Sequence, residues 1–106
     1  MKIRALQDRY GFTQPEIGRL SGYAPRSIAN WLGGKKVAPP ARQKFTELDR
    51  LLSALETLVQ EASEVADWLD EPNKAFEGST PMQVIERGES DRIWRMIYFL
   101  ESGEPG

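Results

Sequence analysis

The chain has 106 residues, 40% of them apolar and 28% charged, a composition typical of one ordinary globular domain or of two small ones. It contains neither cysteine nor histidine, which excludes disulfides, thiolate catalysis and zinc–thiolate sites and removes the commonest general base and metal ligand. The net charge is only −2, but residues 1–44 hold nine Lys or Arg against two Asp or Glu, whereas residues 45–106 hold five against fourteen.

This division of charge predicts two surfaces with two different partners, of which the basic one suits nucleic acid phosphates. An inert dipolar surface is the simpler alternative. No apolar run approaches the roughly 18 residues that a membrane span needs, and the N-terminus lacks an apolar signal core. We therefore expect a cytoplasmic protein without a membrane partner.

The first predicted helix covers Lys2–Tyr10, with Ile3 and Leu6 facing inward. Gly11 ends it, because glycine enters the left-handed conformation of a helix C-cap without penalty. We expect this helix to brace the two that follow, since two short helices alone bury too little apolar surface.

Residues 13–34 read TQPEIGRLSGYAPRSIANWLGG and predict two short helices joined by a tight turn. Thr13 and Glu16 have the spacing of a capping box, Gly22 suits the turn, and Pro25 suits the first turn of the second helix. The apolar residues at helical spacing, which can pack the two helices together, are Ile17, Leu20, Ile28, Trp31 and Leu32.

This stretch resembles the Xre (phage Cro/repressor) helix-turn-helix. The likeness lies in T-Q-x-E-I at its start, S-G in the turn, and S-I-x-x-W followed by G-G-K-K-x-x-P. The resemblance implies an all-α, Cro/repressor-like bundle whose second helix enters the DNA major groove. A helical hairpin that only packs a core is the alternative.

In the family, residues just inside the second helix read base edges. Arg26 can pair with guanine O6 and N7, and Asn30 with adenine N6 and N7. Ser27 and Gln14 are phosphate ligand candidates, as are the N-termini of both helices. The candidate DNA-binding residues are Gln14, Pro25, Arg26, Ser27, Ala29, Asn30, Lys35 and Lys36.

The two lysines belong to residues 33–40, which read GGKKVAPP. Lys35 and Lys36 should contact backbone phosphate, which gives affinity without sequence information. Pro39 and Pro40 prevent the recognition helix from continuing and suit the start of the next helix.

The longest periodic run starts at Ala41 and predicts a helix with apolar residues on two adjacent faces. One face has Phe45, Leu48, Leu52, Leu55 and Val59, and the other has Leu51, Leu55, Leu58, Ala62 and Val65. The first face would close the DNA-binding domain. The second has no obvious partner in so short a chain, which favours self-association, and a symmetric dimer suits a palindromic operator. One amphipathic helix with a generous core face is the alternative.

We expect two domains, residues 1–58 and 59–106, with the break between them near residues 59–63. In the second domain, Pro72 stops a helix that ends at Trp68 and Leu69, and a loop follows over residues 73–79. Thr80, Pro81 and Gln83 predict a capped short helix that ends at Gly88, and a last helix covers about Ser90–Ser102.

This half resembles the toxin-binding domain of the Xre/MbcA/ParS antitoxins. The matching features are W-L at 68–69, P-N at 72–73, T-P at 80–81, the glycine at 88, and an apolar last helix followed by a Gly-x-Pro tail. The resemblance implies an antitoxin of a type II system without cofactor or metal. It also implies a RES-domain toxin that consumes NAD, whose active-site cleft the C-terminal segment blocks, and an operon repressed through the helix-turn-helix.

The last helix supports a partner independently. Ile93, Met96, Ile97 and Leu100 form one stripe, whereas Trp94, Tyr98 and Phe99 lie off it, so some aromatic surface should await another chain. The acidic tail could engage a cationic pocket of an NAD-consuming enzyme. The candidate toxin-binding residues are Trp94, Tyr98, Glu101, Ser102, Gly103, Glu104, Pro105 and Gly106. Aromatic residues that all fill the core, and a disordered tail, are the alternatives.

Two other functions remain open at this point. The chain could be a stand-alone phage-type repressor whose second half only dimerises. An enzyme with an acidic site at Asp67, Asp70 and Glu71 is disfavoured, because solvation of a helix end explains these carboxylates and no phosphate-binding loop is present.

Overall fold

The computed structural model describes residues 2–103, with side chains from Ile3 onward. Every regular element in this range is helical, so the all-α prediction is confirmed. The elements are α1 (Lys2–Tyr10), α2 (Gln14–Ser21), α3 (Pro25–Leu32), α4 (Pro39–Val59), α5 (Ala62–Leu69), a 3₁₀ turn (Lys74–Phe76), α6 (Pro81–Glu86) and α7 (Ser90–Ser102).

The predicted capping signals form as expected at two helix starts. The Glu16 backbone N–H donates to Thr13 Oγ1 at 3.2 Å, and Thr13 N–H donates to Glu16 Oε1 at 2.9 Å. The same reciprocal pair joins Thr80 and Gln83 at 3.1 and 2.8 Å. Gly22 has a φ of +80°, which confirms the predicted left-handed turn between α2 and α3.

The long helix α4 ends where Gln60 adopts a left-handed conformation, with φ 73°, and its N–H bonds to the Glu56 carbonyl at 2.7 Å. This end lies inside the predicted window of residues 59–63. The buried apolar residues on both sides of it form one continuous cluster, in which α1 packs on α5 and α2 packs on α6. The division into domains at residues 58 and 59 stays a prediction.

The prediction that the second face of α4 lacks a partner within the chain is wrong. Leu51 and Leu55 on this face are 2% and 1% exposed, and Val65 on α5 is fully buried. Helices α5 and α7 pack against α4 and cover the face. The connection at Gln60 turns the chain back on itself, which periodicity alone could not reveal. This face therefore gives no reason to expect self-association.

Ion pairs join elements that lie far apart in the sequence. Arg9 Nε donates to Glu56 Oε1 at 2.8 Å, linking α1 to α4. Arg19 Nη2 donates to Glu86 Oε1 at 2.8 Å, linking α2 to α6. The hydrogen bond from Arg19 lowers the pKa of Glu86, and the one from Arg9 lowers the pKa of Glu56. The Arg9–Glu56 pair joins two helices of the first half of the chain, and the Arg19–Glu86 pair joins the first half to the second.

None of the helices in residues 2–103 combines the length and the apolar character that crossing a membrane requires.

Candidate functional site

The exposed face of α3 carries most of the residues predicted to read DNA. Ile28 is fully buried, and Trp31 and Leu32 are half-buried against the core. Turning those side chains inward leaves Arg26 and Asn30 exposed on the outer side. We define the α3 surface as the exposed residues Pro25, Arg26, Ala29 and Asn30. The side chains of this surface are accessible to the groove of a DNA duplex.

An aromatic cluster fixes the position of α3 on the body of the protein. The Trp31 ring centroid lies 5.1 Å from that of Tyr23 and 6.0 Å from that of Phe45. Both contacts are edge-on, a favourable geometry for aromatic rings. At the C-terminal end, Arg4 Nη2 donates to the Leu32 carbonyl at 3.1 Å and so satisfies a group that the helix leaves unpaired.

The N-terminal end of α3 has no side-chain cap. Ala24 occupies the N-cap position and makes no capping hydrogen bond, and Pro25 follows with no N–H to satisfy. The next two backbone amides, of Arg26 and Ser27, have no acceptor within the helix. An uncapped helix N-terminus is suited to an anion such as a DNA phosphate.

The other predicted phosphate ligands differ in their exposure. Gln14 is exposed at the start of α2, and Lys35 and Lys36 are exposed in the loop between α3 and α4. Ser27 is only half-buried on the side of α3 nearer the core, so less of its side chain is available than that of Arg26.

The last helix carries the four large apolar side chains that are most exposed in the described part of the chain. Trp94 is 41% exposed, Tyr98 69%, Phe99 43% and Leu100 60%. We call these four residues the α7 patch. Aromatic residues with such exposure typically mark interaction sites, since burying them on a partner removes a large apolar area from water.

The packing of α7 explains why the patch is exposed. Ile93 and Ile97 are buried, and α7 packs against α4 and α6. Leu100 lies seven residues after Ile93 and therefore on the same face, yet it is largely exposed. The predicted stripe is buried only as far as Ile97, because nothing in residues 2–103 covers the last turn of α7. Trp94 and Tyr98, one turn apart, are exposed as expected.

Phe99 and Leu100 extend the candidate surface beyond the predicted residues. Both line a groove of about 350 Å³, whose other side is formed by Ala75 and Phe76 of the 3₁₀ turn. The sequence signal for Leu100 was its position in the last turn of the last predicted helix, one turn after Met96 and Ile97.

The acidic tail is only partly described. Glu101, Ser102 and Gly103 are exposed, and Gly103 ends α7 with a φ of +70°. The Ser102 hydroxyl donates to the Phe99 carbonyl at 3.2 Å. The predicted toxin-binding residues Glu104, Pro105 and Gly106 lie outside the described residues.

Within residues 2–103, no group of three or more acidic side chains is arranged so that it could hold a metal ion. Asp67, Asp70 and Glu71 are exposed at the end of α5, where the Asp70 N–H closes the helix by donating to the Asp67 carbonyl. They behave as solvated residues of a helix end.

One family model and the antitoxins of two mycobacteria are similar in sequence to this chain. A family model described as the antitoxin Xre/MbcA/ParS C-terminal toxin-binding domain matches residues 54–93, from the last turns of α4 to the first turn of α7. The mycobacterial cidal antitoxin MbcA of Mycobacterium tuberculosis, and that of Mycobacterium bovis, are each 31% identical over 98 residues, which cover 91% of this chain and 85% of the relative.

A solved structure is similar over the whole fold. One chain of the crystal structure of the M. tuberculosis MbcT–MbcA toxin–antitoxin complex superposes with a TM-score of 0.74 at 27% identity. The match covers 99% of this chain and 95% of that chain. The likeness therefore extends over both the α3 surface and the part of α7 that the structure describes.

Proposed function

The chain belongs to the Xre/MbcA/ParS family and is an antitoxin of a toxin–antitoxin system, and from this premise we propose that it binds a RES-domain, NAD-consuming toxin through α7. We further propose that it represses its own operon through α3. In this role it is a regulatory binding protein and not an enzyme, and it acts in the cytoplasm, where both partners are found.

The observation that carries the toxin proposal is the α7 patch. Trp and Tyr are the residue types that most often dominate interface energetics, and Tyr98 is the most exposed of the four patch residues. The patch lies directly before the acidic tail, so a toxin that covers Tyr98 and Leu100 has Glu101 and the residues after it within reach of its cleft. Carboxylates entering a cationic, phosphate-binding pocket would be favoured electrostatically.

Co-expression with the product of the adjacent gene, which the proposal expects to be a RES-domain protein, tests the toxin proposal. We expect the two chains to elute together on gel filtration. Tyr98→Ala should weaken the complex by about 2 kcal/mol or more, as truncating a central aromatic anchor does. Tyr98→Phe, which keeps the ring, is the matched control and should retain most of the affinity. Separate elution of the wild-type chains would contradict the proposal.

The α3 surface supports operator binding. The exposed Arg26 and Asn30 can make bidentate contacts to bases, while the uncapped start of α3 and the exposed Lys35 and Lys36 can contact phosphates. We propose that two copies bind a palindromic operator with half-sites about 34 Å apart. The test is a titration of the DNA upstream of the gene against a scrambled duplex of equal length, and equal affinity for the two would contradict sequence-specific repression.

The alternative of a stand-alone phage-type repressor does not explain the comparisons. The family model that matches residues 54–93 is that of a toxin-binding domain, and the relatives are antitoxins. A second half that only dimerises would not need to resemble a toxin-binding domain.

A further inference from the structure

A hollow lies beside the loop that joins α3 to α4. Its described lining residues come from the first half of the chain and include none of the α7 patch. Its volume is about 430 Å³, within the range of roughly 300–1,000 Å³ that is usual for small-molecule sites. Ile3 and Phe45, each only 1% exposed, and the half-buried Val37 give it an apolar floor. An apolar group placed there would leave water and contact close-packed side chains.

The rim of the hollow is cationic. Lys35, Lys36 and Arg42 line it, and all three are exposed. None of the three forms an ion pair with a carboxylate in the part of the chain that the structure describes, whereas Arg9, Arg19 and Arg92 each do. Among the described residues that line the hollow, none is acidic. Three uncompensated positive charges around an apolar floor favour a ligand that is both anionic and apolar.

We propose that this hollow binds a small organic anion with an apolar body and one carboxylate, sulfonate or phosphate group. The body would lie on Ile3, Val37 and Phe45, and the anionic group would accept hydrogen bonds from Arg42 and the two lysines. Charge-assisted hydrogen bonds of this kind are the stronger ones in proteins. A free metabolite and the anionic headgroup of a lipid share this chemistry.

Occupancy of the hollow would act on the proposed operator binding. Lys35 and Lys36 are also the expected phosphate ligands, so a bound anion and a duplex would compete for the same two charges. The binding measurement below needs no DNA. Its failure is therefore distinguishable from failure of the operator proposal.

The test is calorimetric titration of the full chain with naphthalene-1-sulfonate. We expect saturable binding of one molecule with a Kd below about 1 mM. Neutral 1-naphthalenemethanol keeps the apolar body without the charge, and inorganic sulfate keeps the charge without the apolar body. Each should bind at least about tenfold more weakly than naphthalene-1-sulfonate. Titrations with decanoate and with vesicles of an anionic phospholipid separate the two sources of the ligand. Binding of decanoate but not of the vesicles indicates a free metabolite, whereas binding of both indicates a lipid headgroup.

Two variants locate the binding, each with a matched control. Arg42→Gln removes a rim charge and should weaken binding about tenfold, whereas Lys44→Gln removes a charge outside the hollow and should not. Thr46→Phe fills the hollow and should abolish binding. Thr57→Phe is its control, since Thr46 and Thr57 each donate to the carbonyl four residues earlier on α4 and Thr57 lies outside the hollow.

Each outcome of these titrations either supports or contradicts the proposed anion site. Loss of binding in Thr46→Phe and weaker binding in Arg42→Gln, with both controls unchanged, would support the site. Equal affinity of Thr46→Phe and Thr57→Phe, equal binding of the neutral alcohol, or no saturable binding by the wild-type chain would overturn it. If Thr46→Phe fails to give a cooperative thermal transition, the comparison of Arg42→Gln with Lys44→Gln still decides.

Discussion

In the proposed DNA binding, we expect single residues on the basic side of the molecule to have separable roles. Arg26 is exposed on α3, the proposed recognition helix, whereas Lys36 is exposed in the loop that follows, where we expect it to contact the DNA backbone. Base contacts give sequence discrimination and phosphate contacts give salt-dependent affinity. The two kinds of residue should therefore respond differently to substitution.

Arg26→Ala should lose roughly 1–3 kcal/mol of discrimination between operator and random DNA, because it removes a bidentate base contact. Lys36→Ala should weaken both duplexes alike and reduce the salt slope by about one. Fluorescence anisotropy titrations at several salt concentrations measure both effects. Equal losses on operator and random DNA for Arg26→Ala would remove this residue from the base-reading set.

Gly18 is a second residue whose role follows from its surroundings. It lies inside α2, where alanine would ordinarily be the more stable residue. A Cβ added at Gly18 would stand 2.9 Å from the Tyr23 carbonyl oxygen, a backbone atom that cannot move aside without shifting the turn before α3. Close packing of the turn therefore requires glycine here.

We expect Gly18→Ala to destabilise the fold by about 1–3 kcal/mol, the usual cost of overpacking and opposite in sign to the helix propensity. Urea unfolding followed by circular dichroism measures the change. A variant as stable as the wild type, or more stable, would show that the turn has room to relax.

At the scale of elements, prediction succeeded where the cause was local in sequence. The capping boxes at Thr13 and Thr80 and the turn at Gly22 depend on residues within a few positions of each other, and they form as expected. The covered second face of α4 and the exposed Leu100 depend on which helices pack together. The turn at Gln60 decides which helices cover α4, and the buried core stops short of the last turn of α7. Neither feature can be derived from the spacing of apolar residues within one helix.

The candidate site shows the same limit. The exposure of Arg26, Asn30, Trp94 and Tyr98 followed from helical periodicity, because the buried stripe of each helix fixes its opposite side. The groove beside Phe99 did not, since its other wall comes from the 3₁₀ turn. Contacts between elements that are distant in sequence could be seen only in the structure.

The ion pair between α2 and α6 gives stability a defined dependence on pH. Hydrogen bonding to Arg19 lowers the pKa of Glu86 below its ordinary 4.5. Its contribution is therefore fully present above about pH 4.5 and is lost as the pH falls through the folded-state pKa. Both side chains are more than a third exposed, so solvent screening keeps the contribution below about 1 kcal/mol.

Glu86→Gln should lower the melting temperature by up to a few degrees at pH 7, and the difference from wild type should shrink toward pH 3. Glu47→Gln is the control, because Glu47 is an exposed glutamate in the interior of α4, away from both helix ends and without an ion pair in the described part of the chain. Thermal scans across this pH range measure both variants. A difference for Glu86→Gln that stays constant with pH would exclude the ion pair as its cause.

At the scale of the whole molecule, one core supports both candidate surfaces. Ile3 and Ile17 from the first half and Val65 and Val84 from the second belong to the same buried cluster. Packing of α1 on α5 and of α2 on α6 holds the α3 surface and α7 in a fixed relation. We therefore do not expect the two proposed domains to unfold separately, and we propose that they differ in the partner that each one binds.

Unfolding should accordingly be a single cooperative transition. Circular dichroism reports on all helices, while tryptophan fluorescence reports on Trp31 in the first half and on Trp68 and Trp94 in the second. We expect the two signals to give coincident transitions in urea. Two separated transitions would show that residues 1–58 and 59–106 fold as independent units.

The most direct test of the proposed function is the rate at which the purified product of the adjacent gene, the proposed RES-domain toxin, consumes NAD. A saturating amount of the full chain should abolish NAD loss, and Tyr98→Ala combined with Leu100→Ala should restore it, while Arg26→Ala should inhibit as well as the wild type does. An unchanged rate of NAD consumption in the presence of saturating wild-type chain would contradict the proposal that α7 silences such a toxin.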